Sequence, residues 1–231
     1  MKLMTFNTQH CLNYLKRTID FDVMADAILS TGADVVGLNE MRGAGVDPEY
    51  TAQVATLAEK TGMSYCYFAR AIDVPNGGPY GNGILSRIPI LKAETVPIPD
   101  PPEKAGVGYE TRCILKATLA GGVTVLVTHF GLYPEEQENA VRTVTAQLAE
   151  EKCILMGDFN VTPENPLLAP IRARMRDTAD LFTEPRLSFP SDAPKHKIDY
   201  IFTSPDVTVT AADIPATVAS DHRPHTATVF F

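Results

Sequence analysis

The chain has 231 residues, 45% of them hydrophobic and 21% charged, ordinary proportions for a globular protein with a sizeable core, and they exclude a disordered chain. Its 28 acidic against 20 basic residues leave a formal net charge of −8, so the molecule as a whole repels polyanions and lacks the basic footprint of a tight nucleic-acid binder. Nuclease chemistry stays open, because a metal site is itself built from acids and its cation reverses the local field.

At the N-terminus, Thr5, Asn7 and Gln9 interrupt the apolar run before it could serve as a signal-peptide core. No later stretch is long and apolar enough to span a bilayer, which predicts a cytoplasmic protein. Residues 3–9 alternate apolar and polar side chains, with Met4 and Phe6 on one face, and read as a half-buried strand that delivers Asn7 at its end. A helix is expected over 20–30, where Met24, Ala27, Ile28 and Thr31 recur at helical spacing before Gly32, a residue suited to a left-handed terminus. A strand over 34–38 then delivers Asn39 and Glu40. A second helix is expected over 48–60, with Val54, Leu57 and Ala58 inward and Gly62 as its stop.

Residues 64–69 and 83–86 read as strands, and 73–81 between them as a loop by its Gly and Pro content. A strand over 90–98 ends in Pro97, Pro99, Pro101 and Pro102, and a long loop leads to Tyr109. Residues 111–119 and 123–130 flank Gly121 and Gly122, the pattern of a hairpin on a primed turn, and its second strand delivers Thr128 and His129. From 134 to 150 the pattern is helical, with Pro134 in the first turn, Glu135 and Glu136 near the positive end, and Val141, Val144 and Leu148 on one stripe. A short apolar strand over 153–156 is followed at once by Gly157, Asp158, Phe159 and Asn160. A short helix over 166–174, a loop containing Ser188 to Asp192, and strands over 198–202, 207–211 and 226–231 close the chain. Strands outnumber helices and mostly follow one another, which predicts an α+β fold of one domain: two sheets stacked face to face with helices on the outside. The four cysteines, Cys11, Cys66, Cys113 and Cys153, show no C-x-x-C spacing and read as reduced, mostly buried thiols.

Polar residues recur at the expected strand C-termini or just past them: Asn7, Glu40, Asn82, His129, Asp158 with Asn160, Asp199, and Asp221 with His222. On a shared edge these groups converge in one pocket. Its carboxylate and amide oxygens suit a hard octahedral cation such as Mg²⁺ or Mn²⁺, whereas scattered cysteines and the lack of a His pair at i, i+4 argue against zinc. An apolar strand holding Asp199, then a loop holding Asp221 and His222, is what a metal-assisted phosphoester hydrolase needs to fix an imidazole.

The ordered set Thr-Phe-Asn7, Gly-Leu-Asn-Glu40, Gly-Asn82-Gly-Ile-Leu-Ser, Thr-His129-Phe, Gly-Asp158-Phe-Asn160, Ile-Asp199-Tyr-Ile-Phe and Ser-Asp221-His222 resembles the endonuclease/exonuclease/phosphatase superfamily from end to end. The resemblance implies a DNase I-like, four-layered α/β/β/α sandwich with the active site at one edge of the paired sheets. It implies that Glu40, helped by Asn7, holds the divalent cation, that Asp221 lies beside the metal or its water, and that Asp158 and Asn160 position the attacking water and the phosphoryl oxygens. Asp199 would orient His222. His129 would bind a phosphoryl oxygen or serve as a second acid, and Asn82 would face the substrate. Arg112 either binds phosphate or pairs with Glu110. The number of metals and the identity of the base stay open.

Substrate choice falls to the loops over 73–81, 97–108, 131–135 and 183–197, with Tyr80, Tyr133 and Phe189 available to a ligand. Their positive charge stands mainly at Lys104, Arg186, Lys195 and Lys197, enough for a phosphate or two. That suits a small phosphodiester, a lipid head group or a nucleic-acid end better than a long duplex. Two rivals stand beside this reading. A binding protein that keeps the fold with a dead site would have lost one of Glu40, Asp158, Asp199 or His222, and all are present. Glycoside hydrolysis by Glu40 and Asp158 leaves His129, Asn160 and His222 without work.

Overall fold

The computed structural model describes residues 1–102 and 108–231; of the rim positions, Lys104 lies outside them. Among the described residues, twelve strands form two six-stranded sheets. The first sheet has the order β11 (Thr208–Asp213), β12 (His225–Phe230), β1 (Lys2–Asn7), β2 (Val35–Arg42), β4 (Pro79–Ser86) and β3 (Tyr65–Asp73). The second has the order β5 (Ile90–Pro97), β6 (Cys113–Leu119), β7 (Thr124–His129), β8 (Cys153–Asp158), β10 (Asp199–Thr203) and β9 (Arg176–Asp177). Each sheet contains one parallel pair, β1 with β2 and β7 with β8. The connections between these pairs carry α1 (Phe21–Thr31) and α3 (Pro134–Gln147), as a parallel pair requires a crossover. The other long helix, α2 (Gln53–Thr61), follows β2, and a single turn, α4 (Ala169–Arg172), follows β8.

Alternation along the strands builds the layers, because successive side chains point to opposite faces. Leu3, Val35 and Ile84 of the first sheet meet Leu115, Val127, Met156 and Ile201 of the second in a core between the sheets. Met4, Phe6, Val36 and Leu38 face outward onto Met24 and Ile28 of α1 and Leu57 of α2. Leu126, Leu155, Tyr200 and Phe202 face outward onto Val141 and Val144 of α3 and Ile171 of α4. The result is the expected α/β/β/α sandwich.

The first strand is therefore buried on both faces rather than half-buried, since β1 lies between two neighbours and two layers. Helix α1 begins and ends as the sequence predicts: the Asp20 side chain accepts the Val23 N–H at 3.1 Å, and Gly32 closes the helix in the left-handed conformation. Helix α2 starts five residues later than expected, because residues 47–50 make a turn in which the Tyr50 N–H reaches the Asp47 carbonyl. Strands β3 and β4 run further into 73–81 than Gly and Pro content suggests, leaving only a tight turn around Asn76, whose φ is +59°. The two-residue β9 pairs only with β10 and has no periodic signal of its own.

Candidate active site

Register places the site. Asp158 is the last residue of β8; it stands opposite His129, the last of β7, and opposite Asp199, the first of β10. Residues in register on neighbouring strands project from the same face, so His129, Asp158 and Asp199 form a row across the second sheet. The expected edge of strand C-termini holds for Asn7, His129 and Asp158, but Asp199 reaches it from an N-terminus, because β10 runs antiparallel to β8. Gly157 precedes the row at φ +144°, where a Cβ would sit 1.8 Å from the Thr128 carbonyl oxygen, so only glycine lets β7 and β8 close there.

On the facing sheet, strict alternation would turn Glu40 outward with Val36 and Leu38. Instead the register of β2 against β4 shifts between Leu38 and Met41, and Glu40 adopts φ +61°. This bulge brings both Asn39 and Glu40 to the site side, a strained device typical of functional positions. Asn160 holds a second such backbone, at φ +52°.

Asn7 joins the sheets: its amide nitrogen donates to Glu40 Oε1 at 3.0 Å and to Asp158 Oδ2 at 3.1 Å. Asn39 does the same without having been singled out in the sequence. Its Nδ2 donates to Asn82 Oδ1 at 2.8 Å and to the Thr128 carbonyl at 2.9 Å, and its Oδ1 accepts the Asp158 N–H at 3.0 Å. Asn82 is 2% exposed, and its Nδ2 donates to the Cys113 carbonyl at 2.9 Å. Its amide thus links β2 of its own sheet to β6 of the facing one.

His222 enters from the loop before β12. Its Nδ1 lies 2.9 Å from Asp199 Oδ2 and its Nε2 3.6 Å from Asp158 Oδ2. A carboxylate only accepts, so Nδ1 carries a proton. Burial presses the His222 pKa down, but the Asp199 and Asp158 carboxylates outweigh it and raise it to about 10. Asp158 is pushed up, first by burial and then by the charge of Asp199, with His222 opposing. Glu40 is also raised, by burial first and further by the charge of Asp221, against the Asn7 hydrogen bond. Asp221 is half-buried and accepts the Ser220 hydroxyl at 3.0 Å.

At the other end of the row, His129 Nδ1 lies 3.0 Å from Arg112 Nη1. A guanidinium only donates, so Nδ1 accepts and the neutral ring carries its proton on Nε2. That N–H faces the Asp158 Oδ2 acceptor at 3.5 Å, while Asn160 Nδ2, 3.2 Å away, is itself a donor and is engaged by the Phe130 carbonyl. Burial, then the Arg112 charge, holds the His129 pKa well below the ordinary imidazole range. Arg112 also pairs with Glu110 at 2.7 Å, the structural one of the two roles weighed for it. Asn160 is fixed by its N–H to Asp158 Oδ1 at 2.9 Å and its amide to the Phe130 carbonyl at 3.0 Å.

Loop residues hold His222 in place. Phe189 packs on its ring at 4.7 Å between centroids rather than facing open solvent. The Ser191 hydroxyl donates to the Ser220 carbonyl at 2.6 Å, and Arg223 Nε donates to the Ser191 carbonyl at 2.6 Å. Serines in a loop carry no signal of this clamp. Of the rim cations, Lys197 is buried against Asp177 at 3.3 Å and Arg186 pairs with Asp213 at 3.0 Å, so the described part of the rim is less basic than its sequence suggests.

The donor set suits a divalent cation. Asp158, Asp199 and His222 bring ligand-type atoms within 4.8 Å of one another, but a protonated His222 has no free lone pair for a cation, so the metal falls to the oxygen ligands. Asp199 Oδ1 is buried without a hydrogen-bond partner. Glu40 stands against Asp221, supported by the neutral Asn7 amide and Tyr80 hydroxyl, an excess of oxygen ligands and negative charge that a hard cation relieves. All four cysteines are free, with Cys66 alone exposed, and no helix among the described residues is long and apolar enough to cross a membrane.

Comparison with known proteins follows the same outline. The model of the endonuclease/exonuclease/phosphatase family matches residues 4–222. The chain is 26% identical to the protein YbhP of Escherichia coli, over 99% of this chain and 95% of that one. Among solved structures it is similar to an endonuclease/exonuclease/phosphatase from Beutenbergia cavernae, with a TM-score of 0.80 and 24% identity over 99% of this chain and 71% of that one. It is also similar to a mannosyl-6-phosphatase of Bacteroides thetaiotaomicron, with a TM-score of 0.78 and 15% identity over the whole of both chains.

Proposed function

This chain belongs to the endonuclease/exonuclease/phosphatase family, and from that premise we propose that it is a phosphoesterase acting as one catalytic domain in the cytoplasm, hydrolysing phosphodiester or phosphomonoester bonds with Mg²⁺ or Mn²⁺. The observation that carries the reading is the buried row His129–Asp158–Asp199 closed by His222 at 2.9 Å from Asp199. The likeness to a phosphatase of the same fold supports the class of reaction.

In this proposal Glu40, Asn7 and Asp221 hold the cation. When bound, it neutralises charge on the phosphoryl oxygens and orients the phosphorus for in-line attack. Asp158, its proton affinity raised by burial, takes a proton from the attacking water, which Asn160 helps to place. His222, kept protonated by Asp199 and Asp158, donates to an oxygen that gains charge in the transition state. His129, neutral with its proton on Nε2, donates to a phosphoryl oxygen from the other side.

The substrate is proposed to be small or terminal: a short phosphodiester, a lipid head group or a nucleic-acid end. The net charge of −8 and the committed rim cations Arg186 and Lys197 support this over a long duplex. Hydrolysis of bis(p-nitrophenyl) phosphate and p-nitrophenyl phosphate, with Mg²⁺, Mn²⁺ or chelator, tests the proposal. Metal-dependent release of nitrophenolate that disappears in His222→Ala is the expected outcome. Absence of turnover on either ester with both metals, or turnover untouched by chelator, overturns it.

A further inference from the structure

One cavity lies apart from the catalytic pocket. It is a cleft of about 430 Å³ on the outer side of β9 and β10, walled by residues 162–164, 179–187 and 195–197. At its wall stands Lys197, 6% exposed, with Nζ 3.3 Å from Asp177 Oδ2 and 3.3 Å from the centre of the Tyr200 ring. Asp177 is itself fully engaged: Oδ1 accepts the Ala179 N–H at 3.0 Å, and Oδ2 also accepts Arg172 Nη2 at 3.3 Å. One buried carboxylate thus serves two cations, and an ammonium with three donors has a single hydrogen-bond acceptor at long range.

We propose that this cleft binds a small organic monoanion with an apolar body, its carboxylate on Lys197 and its body against Phe182 and Leu187. Burying an ammonium is costly unless its charge and its donors are matched, and an anionic head group supplies both what Asp177 leaves unmet. The cleft's surface is otherwise largely apolar, with Pro163 and Pro185 beside Phe182 and Leu187. Glu164, Asp180 and Glu184 stand exposed around it, and their charges select against dianions and polyanions by like-charge repulsion. Of the other cations that line the cleft, Arg186 is engaged by Asp213 and Arg172 by Asp177, which leaves the exposed Lys195 against three carboxylates. The site lies beyond the phosphoesterase reading and does not depend on it: Lys197 and Tyr200 work on the helix side of the sheet, whereas Asp199 points to the other face.

Titration of the full chain in chelator with benzoate, hexanoate and inorganic phosphate, followed by calorimetry and by the methyl signals of Ala179 and Leu187, tests the proposal. The carboxylates are expected to saturate at one site per chain with shifts at those methyls, and phosphate is not. Lys197→Met should weaken benzoate about ten- to a hundredfold, the worth of a charge-assisted hydrogen bond. Ala179→Trp fills the cleft but keeps the backbone N–H that binds Asp177, so it should abolish binding with the ion cluster intact. No saturable shift with either carboxylate overturns the proposal. So does unchanged affinity in whichever of the two variants folds, and so does phosphate binding as tightly as benzoate.

Discussion

Asp199→Asn keeps the shape that meets His222 and removes only the charge. The His222 pKa is raised from 6.5 to about 10, which corresponds to about 5 kcal/mol of preference for the imidazolium, at about 1.4 kcal/mol per unit. Asp199, at 2.9 Å, and Asp158, at 3.6 Å, share that preference, so the nearer carboxylate accounts for about 2–3 kcal/mol. Because the folded-state value lies above the unfolded one, this stabilisation is complete below the unfolded pKa and is lost as pH rises through about 10. In chelator, the Asn variant should therefore be less stable by about 2–3 kcal/mol near pH 6, with the gap to the parent narrowing steadily toward pH 10. Urea unfolding across that range, with NMR titration of the His222 ring in both proteins, gives the two readouts. An unchanged His222 pKa, or a loss of stability that is the same at every pH, refutes the electrostatic account.

Other perturbations separate the remaining roles. Asp199→Asn and His222→Ala should each reduce turnover severely, and the double variant should be little worse than the worse single one, since the pair acts as a unit; additive losses mean independent action. Glu40→Gln should weaken Mn²⁺ binding measured by calorimetry and lower turnover by orders of magnitude, and unchanged affinity removes Glu40 from the ligand set. Arg112→Met should free His129 Nδ1, so that ¹⁵N spectra show mixed tautomers, while Arg112→Lys restores the single one; a pure Nε2-protonated ring in the Met variant shows that Arg112 does not set it. Activity on bis(p-nitrophenyl) phosphate should far exceed activity on plasmid DNA, with a shallow salt dependence; vigorous plasmid cleavage with steep salt inhibition means that a local basic surface overrides the global charge.

What the sequence made legible was whatever is written locally. Gly121 and Gly122, both at positive φ, mark the β6–β7 hairpin, and Asp20 with Gly32 brackets α1. The short runs around Asn7, Glu40, Asp158, Asp199 and His222 name the site because each sits at or beside an apolar strand. What stayed hidden depends on the two sheets facing each other. Asn39 reads as a strand-end amide, yet it holds the Asp158 N–H from 119 residues away. Asn82 reads as a residue beside a strand, with no sign that its amide reaches the Cys113 carbonyl of the facing sheet. Lys197 reads as a rim cation until β9, which has no pattern of its own, sets Asp177 beneath it. The outward or inward aim of Glu40 was likewise undecidable, because the bulge that turns it is a property of β2 against β4.

These placements bear on how an acidic protein can accept an anionic substrate. Glu40, Asp158, Asp199 and Asp221 bring four carboxylates to the site, against Arg112 and the imidazolium of His222. Arg112 is already shared with Glu110. A phosphate entering this field without a cation meets like charge at close range, and the chain's net charge repels it from further away. In the proposed mechanism a divalent cation held by Glu40, Asn7 and Asp221 would offset the excess negative charge of the pocket, which an anionic substrate needs in order to bind. Binding and chemistry then share one requirement, and loss of Glu40 should appear in KM as well as in kcat. The buried amides of Asn7 and Asn39 complete this arrangement, since as neutral donors they hold Glu40 and Asp158 in position without cancelling the charge on which the cation depends.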